Sequence, residues 1–365
     1  MASSASLTSS QSSALAFVTE RARSRAADAR QQSTEILRMS DVSPERFEQA
    51  VSRLQDQARV ALHFHPDRPV PGERSVAASL LADGIYRSQF ETGISNGGLS
   101  AHLGGARHRW ETQIFGEAYE KSGFTPAERP KYGALDLMLH PDGPSPRFGS
   151  CYFLLTADVS QRCTFTYLDS HEDPDEKGTY EAFDDIISTL LADAFKSDFA
   201  LGEADLSPAR LVDHLVTQLD QPVADRFTRP PSRNLNHYIE AQVHGEVLLG
   251  NEVEALVADP SFKGTETGRI LEALCDHNDV ALHWHAGFSL APADVPSDFR
   301  GPTMPSLARR VSDDEPIDAY RIGLAATTLK AEPGSFADRG TYAEVLQELK
   351  LLWHVLVRYG RPGQN

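Results

Sequence analysis

The chain has 365 residues, 40% of them hydrophobic, enough to bury a core rather than stay unfolded. Its formal net charge of −17, from 52 acidic and 35 basic residues, sets it against phosphate backbones, so nucleic acid is not an expected partner. No apolar run approaches the roughly 20 residues that span a bilayer, and no membrane partner is expected.

Three cysteines, Cys151, Cys163 and Cys275, are odd in number and widely spaced, which argues against a disulfide framework and for a reducing, cytoplasmic setting. The Ser- and Ala-rich start, residues 1–14, carries no basic residue ahead of an apolar core. It fails the signal-peptide pattern and reads as disordered, which leaves export only by a route without a cleavable signal.

From Leu15 to about Leu62 the pattern is helical. Phe47, Val51, Leu54, Ala58 and Ala61 recur at three- and four-residue steps behind a Ser43-Pro44 cap. Pro66, Pro69 and Pro71 then break the chain. Arg74 to Ala82 reads as a short helix leading into a strand-like Gly84-Ile85-Tyr86-Arg87. A glycine-rich loop, Gly93 to Gly105, precedes an amphipathic segment, Arg107 to Tyr119.

Lys131 to Leu139, Gly149 to Thr156 and Arg162 to Tyr167 read as strands. Residues 178–220 hold two helices, and Tyr238 to His244 alternates like a strand. Residues 265–330 read as one helix among Pro/Gly-rich loops. Thr341 to Tyr359 is a C-terminal helix with Thr341 as its cap and Gly360 just past its end. The expected architecture is α+β: disordered residues 1–14, a helical region over 15–72, a core over 73–260, and a mixed and helical region over 261–365 packed on that core.

Four blocks carry candidate chemistry: Tyr86-Arg-Ser-Gln-Phe-Glu-Thr-Gly93, Arg129-Pro-Lys-Tyr-Gly-Ala134, Arg162-Cys-Thr-Phe-Thr166 and Tyr238-Ile-Glu-Ala-Gln-Val-His-Gly245. Their order and spacing, over about half the chain from Leu81 to Ala258, resemble ADP-ribosyltransferases of bacterial polymorphic toxins and phage-associated proteins. The whole sequence is also similar to a bacterial family characterised only as a domain of unknown function.

The resemblance implies a split β-sheet core around a cleft, NAD as substrate, and an unidentified acceptor, macromolecule or small molecule, in a toxin or effector. It sets Arg87 as the NAD anchor, Thr164 and Thr166 on the hydroxyl-rich strand, and Glu240 as catalytic carboxylate. Many members carry two acidic residues one apart. Here Gln242 follows Glu240 by two, so the catalytic slot falls at Glu240 or at position 242, and Tyr-x-Glu ahead of an apolar run favours Glu240.

These residue types suit the chemistry. Breaking the nicotinamide–ribose bond develops positive charge on the sugar, which a carboxylate opposes. An arginine offers a fork to the pyrophosphate, and Tyr132 or Phe148 supplies a stacking surface for nicotinamide. Thr164 and Thr166 are expected to orient the carboxylate and contact ribose, and Gln242 to bear on acceptor choice. No metal is required.

Two rival readings stand beside this one. His63/His65 and His283/His285, each in an Ala-Leu-His-aromatic-His setting, put two imidazoles on one strand face. With Asp67 or Asp279 they would make a zinc or iron site for a hydrolase. His65-Pro66-Asp67 is the tripeptide by which J-domains engage chaperones, which implies a non-enzymatic binding module. Neither Gly97-Gly98 nor Gly104-Gly105 fits a dinucleotide or P-loop pattern.

Overall fold

A computed structural model describes residues 7–72, 74–93, 101–120 and 124–363. Its strands are β1 (Arg59–Phe64), β2 (Lys131–Asp136), β3 (Cys151–Leu155), β4 (Cys163–Tyr167), β5 (Lys177–Gly178), β6 (Phe199–Ala200), β7 (Glu203–Ala204), β8 (Ile239–Val243), β9 (Val253–Ala258) and β10 (Ala281–Trp284). β6 and β7 form a small separate hairpin. The others make one sheet in the order β10-β9-β3-β1-β2-β8-β4-β5. Neighbours are antiparallel except β9 and β10, which run parallel because the Glu266–Asn278 helix returns the chain between them. The α+β class holds.

Alternation along each strand sorts the two faces. Val60, Leu62, Phe64, Leu135, Phe153, Phe165, Ala241 and Val243 point into the main core. On the other face, Ala61, Tyr152, Leu154, Ala255 and Val257 make a smaller apolar cluster. Across β2, β8 and β4 that second face turns polar. Tyr132 pairs with Gln242 and Ala134 with Glu240; Thr164 and Thr166 lie opposite the same two β8 residues on the far side.

β1 and β2 are joined by only three pairs, ending at Ala61 and Ala134. Beyond them β1 runs on beside β3 alone, and β2 starts beside β8 alone. The expected split into two half-sheets is therefore not seen: the sheet is continuous and parts only locally between its two central strands.

Several elements form for visible local reasons. The Pro44–Gln57 helix has Ser43 accepting from the Arg46 N–H and proline in its first turn. The Tyr342–Tyr359 helix starts in a Thr341/Glu344 capping box and buries Leu349, Leu352, Trp353 and Leu356. Residues 178–220 hold the two expected helices, Asp184–Ser197 and Pro208–Thr217.

Other expectations are corrected. The chain is helical from Ser9, where Thr8 and Gln11 form a capping box, so disorder does not reach Ala14; residues 1–6 lie outside the described residues. Helix does not continue to Leu62: Arg59–Phe64 is β1, a central strand whose residues from Val60 on are buried on both faces. Arg87 is not on a strand. Ile85 makes one bridge to Leu248, and the chain then enters the Gln89–Thr92 turn of helix. Of the glycine-rich loop, residues 94–100 lie outside the described residues. Residues 265–330 contain three helices, Glu266–Asn278, Met304–Ser312 and Ala319–Ala331, rather than one.

Candidate active site

A cleft of about 210 Å³ opens where β1 and β2 part. His63 and Phe64 line it from β1, Lys131, Tyr132 and Gly133 from β2, and Glu240 from β8. At Gly133 the strands still touch: a Cβ there would run into the Ala61 carbonyl oxygen, so the parting needs glycine at its apex. Arg87, Phe148 and Trp110 add to the walls.

Glu240 is buried among polar groups that hold one of its oxygens. Ser170 Oγ and Gln242 Nε2 (2.9 Å) both donate to Oε1, which leaves Oε2 for a ligand. Burial, and then the nearby Asp169 charge, push the Glu240 carboxyl up from 4.5 to about 7; the two hydrogen bonds and Arg107 pull the other way. A half-neutral carboxyl at the floor of a cleft is poised to respond to positive charge arriving in front of it.

Behind Glu240 runs a buried relay of hydrogen bonds. Thr164 Oγ1 donates to Gln242 Oε1 (2.7 Å), and Gln242 Nε2 also donates to Thr166 Oγ1 (3.3 Å). Because the Thr164 proton is used there, His244 Nε2–H donates to Thr164 Oγ1 (3.1 Å), and His244 Nδ1 accepts from the Tyr119 hydroxyl (2.7 Å). Burial holds His244 neutral by lowering it to about 3, in keeping with that tautomer. Thr164, Thr166 and Gln242 are 0% exposed. They share the face expected of them but do not line the cleft; they stand behind Glu240, which Gln242 contacts directly.

The cleft wall is aromatic and cationic. Trp110 and Tyr132 stack with ring centres 5.3 Å apart, and the Arg107 guanidinium lies 4.5 Å and 4.8 Å from their centres. Tyr132 donates to Glu111 Oε1 (2.7 Å), and Glu111 forms a buried ion pair with Arg129. Trp110 Nε1 donates to the Ser170 carbonyl, tying the aromatic wall to the residue that holds Glu240. Phe148 stands edge-on to Tyr238, at 5.6 Å, with Arg147 over its ring.

Arg87 lines the cleft, but its guanidinium is engaged by Asp83 (3.1 Å) and Glu91 (3.2 Å). As a fork held for a pyrophosphate it is therefore compromised. Arg87, Tyr132, Phe148 and Glu240 thus converge on one cleft, whereas Thr164, Thr166 and Gln242 support it from behind. Ser170, Trp110, His244 and Tyr119 were beyond sequence reading, although His244 continues the alternation of Glu240 and Gln242 and could have been reached that way.

The histidine pairs do not assemble as a shared centre. His63, Tyr152, Val257 and His283 lie in one row across β1, β3, β9 and β10, which sets His63 and His283 three strands and roughly 14 Å apart. His63 Nδ1 meets the Gly149 carbonyl (3.3 Å), and its Nε2 accepts from the Ser145 N–H (3.4 Å). His285 Nε2 meets the Ser150 carbonyl (3.2 Å), and its Nδ1 accepts from the Gly287 N–H (3.0 Å). Among the described residues, no group of three or more His, Cys, Asp or Glu side chains is arranged to hold a metal ion.

His65-Pro66-Asp67 follows β1 rather than a helix. Pro66 is buried, and Asp67 packs against Gly323 of the Ala319–Ala331 helix, so the tripeptide is not displayed for a partner. No helix among the described residues is long and apolar enough to cross a membrane.

Residues 59–359 match the family described as "Protein of unknown function (DUF3626)", and the chain belongs to that family. No curated protein matches the chain.

Proposed function

We propose that this member of DUF3626 is an ADP-ribosyltransferase, which breaks the nicotinamide–ribose bond of NAD and transfers ADP-ribose to an acceptor. One observation carries the reading: a buried carboxylate, Glu240, held on Oε1 by Ser170 and Gln242, lies in an aromatic-walled cleft where the two central strands part.

In this reading the electron pair of the glycosidic bond leaves with nicotinamide, which becomes neutral. The ribose is left with oxocarbenium character, and Glu240 Oε2 faces that charge. An acceptor nucleophile then bonds to the same carbon and gives up its proton. The Tyr132–Trp110 pair provides a surface for the nicotinamide ring, and the Tyr119–His244–Thr164–Gln242 relay keeps the carboxylate from rotating away. Binding energy is spent on a group that matters most once charge has developed.

Incubation with labelled NAD, with and without cell lysate, tests the proposal. Nicotinamide release or labelled acceptor is expected from the wild type and a loss of orders of magnitude from Glu240→Gln. Wild-type protein that neither releases nicotinamide nor labels any acceptor would remove the proposal's support.

A further inference from the structure

A second set of positive charges borders the cleft. Arg147 and Lys350 line the cleft. His354 stands one turn beyond Lys350 on the Tyr342–Tyr359 helix, and Arg300 lies on the loop before the Met304–Ser312 helix. Four basic residues from three separated segments gather here in a chain whose net charge is −17.

One acid, Asp169, offsets them in part. Arg147 meets Asp169 only at 3.9 Å and donates to Asn236 Oδ1 (3.1 Å). Arg147 Nε and Arg300 Nε are buried with no hydrogen-bond partner among the described residues, whereas His354, 1% exposed, meets the Arg147 backbone. Such donors are normally satisfied, and a group of them facing one another is costly without a ligand. The guanidiniums rest on aromatic faces, Arg147 on Phe148 at 4.9 Å and Arg300 on Phe299 at 5.1 Å, which orients them while leaving their edges to donate.

The mutual repulsion has a direct trace. Lys350 is lowered to about 8 by burial and then by Arg147 and Arg68, with Asp169 opposing and Arg300 adding to the shift. His354 is lowered to about 2 by burial and then by Arg300, Arg147 and Lys350.

We propose that Arg147 and Lys350, which line the cleft, form with Arg300 an anion subsite that takes the phosphate or pyrophosphate group of a ligand lying in the cleft. The planar guanidiniums and the lysine match several phosphate oxygens at once, and His354 packs behind them. The subsite stands on this cluster alone. Joined to the transferase reading, it moves the pyrophosphate anchor from Arg87, which is held by two carboxylates, to Arg147, Arg300 and Lys350.

Calorimetric titration of the full chain with inorganic pyrophosphate, at low and fixed ionic strength, tests this. The wild type should bind, and Lys350→Gln and Arg300→Gln should each weaken binding by about tenfold or more. Lys350→Arg should retain most of the affinity, and Arg23→Gln, on the exposed N-terminal helix, should leave it unchanged. No binding by the wild type, or equal affinity in wild type, Lys350→Gln and Arg300→Gln, would overturn the subsite.

An NAD arm separates the two ideas. Pyrophosphate binding that is lost in the variants, from a protein that never cleaves NAD, upholds the subsite and removes the transferase reading. NAD cleavage whose KM is unmoved by Lys350→Gln and Arg300→Gln upholds the transferase reading and sinks the subsite.

Discussion

Glu240→Gln should make the protein more stable, and only at neutral to alkaline pH. The folded protein raises the Glu240 carboxyl from 4.5 to about 7, chiefly by burial and then by the Asp169 charge. A carboxyl that holds its proton more tightly when folded loses stability as pH climbs from the unfolded value through the folded one. Over that interval the cost of ionising Glu240 grows to roughly 3 kcal/mol, at 1.36 kcal/mol per pH unit, as an upper bound. Glutamine keeps an oxygen to accept from Ser170 and Gln242, and removes the charge. Thermal unfolding of wild type and variant should therefore coincide near pH 4.5 and diverge above pH 7. There the variant should gain up to about 4 °C in Tm. A difference independent of pH, or a variant that melts lower at alkaline pH, would refute the claim that the site holds its carboxylate under electrostatic tension. The outcome does not depend on which reaction the site performs.

Three further outcomes follow from the same geometry. If ionised Glu240 opposes the developing charge, kcat/KM for NAD cleavage should rise about tenfold per unit below pH 7 and level off above it, and Asp169→Asn should shift the midpoint down; a profile flat through pH 7 would exclude Glu240 as the titrating group. Thr164→Val keeps the shape but removes the hydroxyl that joins His244 to Gln242, so urea unfolding should show a loss of about 1–3 kcal/mol, and an unchanged midpoint would mean that the relay contributes nothing. Arg87→Ala should change the KM for NAD by no more than about threefold, because its guanidinium is engaged by Asp83 and Glu91, and a tenfold rise would restore Arg87 as the anchor.

The parts of the fold that sequence reading reaches are those with a local signature. Ser43-Pro44 and Thr341 start their helices as capping chemistry requires, the strands at Cys163 and Ile239 alternate, and those at Lys131 and Cys151 stand out as short runs bounded by proline, glycine or serine. β1 escapes because it is buried on both faces, so its apolar residues merge with the helical spacing of Leu54, Ala58 and Ala61. The helices at Met304 and Ala319 escape for another reason. Pro305 and Gly323 read as breakers, yet Pro305 sits in a first turn and Gly323 makes room for Asp67.

At the site, Glu240 is legible as an acid in an apolar strand, and Tyr132, Phe148 and Arg87 fall on the same cleft. What alternation cannot show is which partners come from elsewhere. Ser170 arrives from a turn after β4, and Lys350 and His354 arrive from a helix more than a hundred residues beyond β8. Whether Arg87 is engaged by Asp83 and Glu91 likewise depends on a turn that has no period.

The Ser9–Met39 helix bears on how this family is built. It packs against the Asp184–Ser197 helix and beside β5, the outermost strand at one end of the sheet. Thr19 and Thr179 share a hydrogen bond (2.8 Å), and Arg25 donates to Asp185 (2.6 Å). An unshielded outer strand is a template on which another chain's strand can grow. The segment matched by the family begins at Arg59, after this helix has ended. A fragment cut to that segment would keep every strand of the sheet while baring its border to self-association. The stretch that the family shares and the stretch that covers the sheet's border thus begin at different residues.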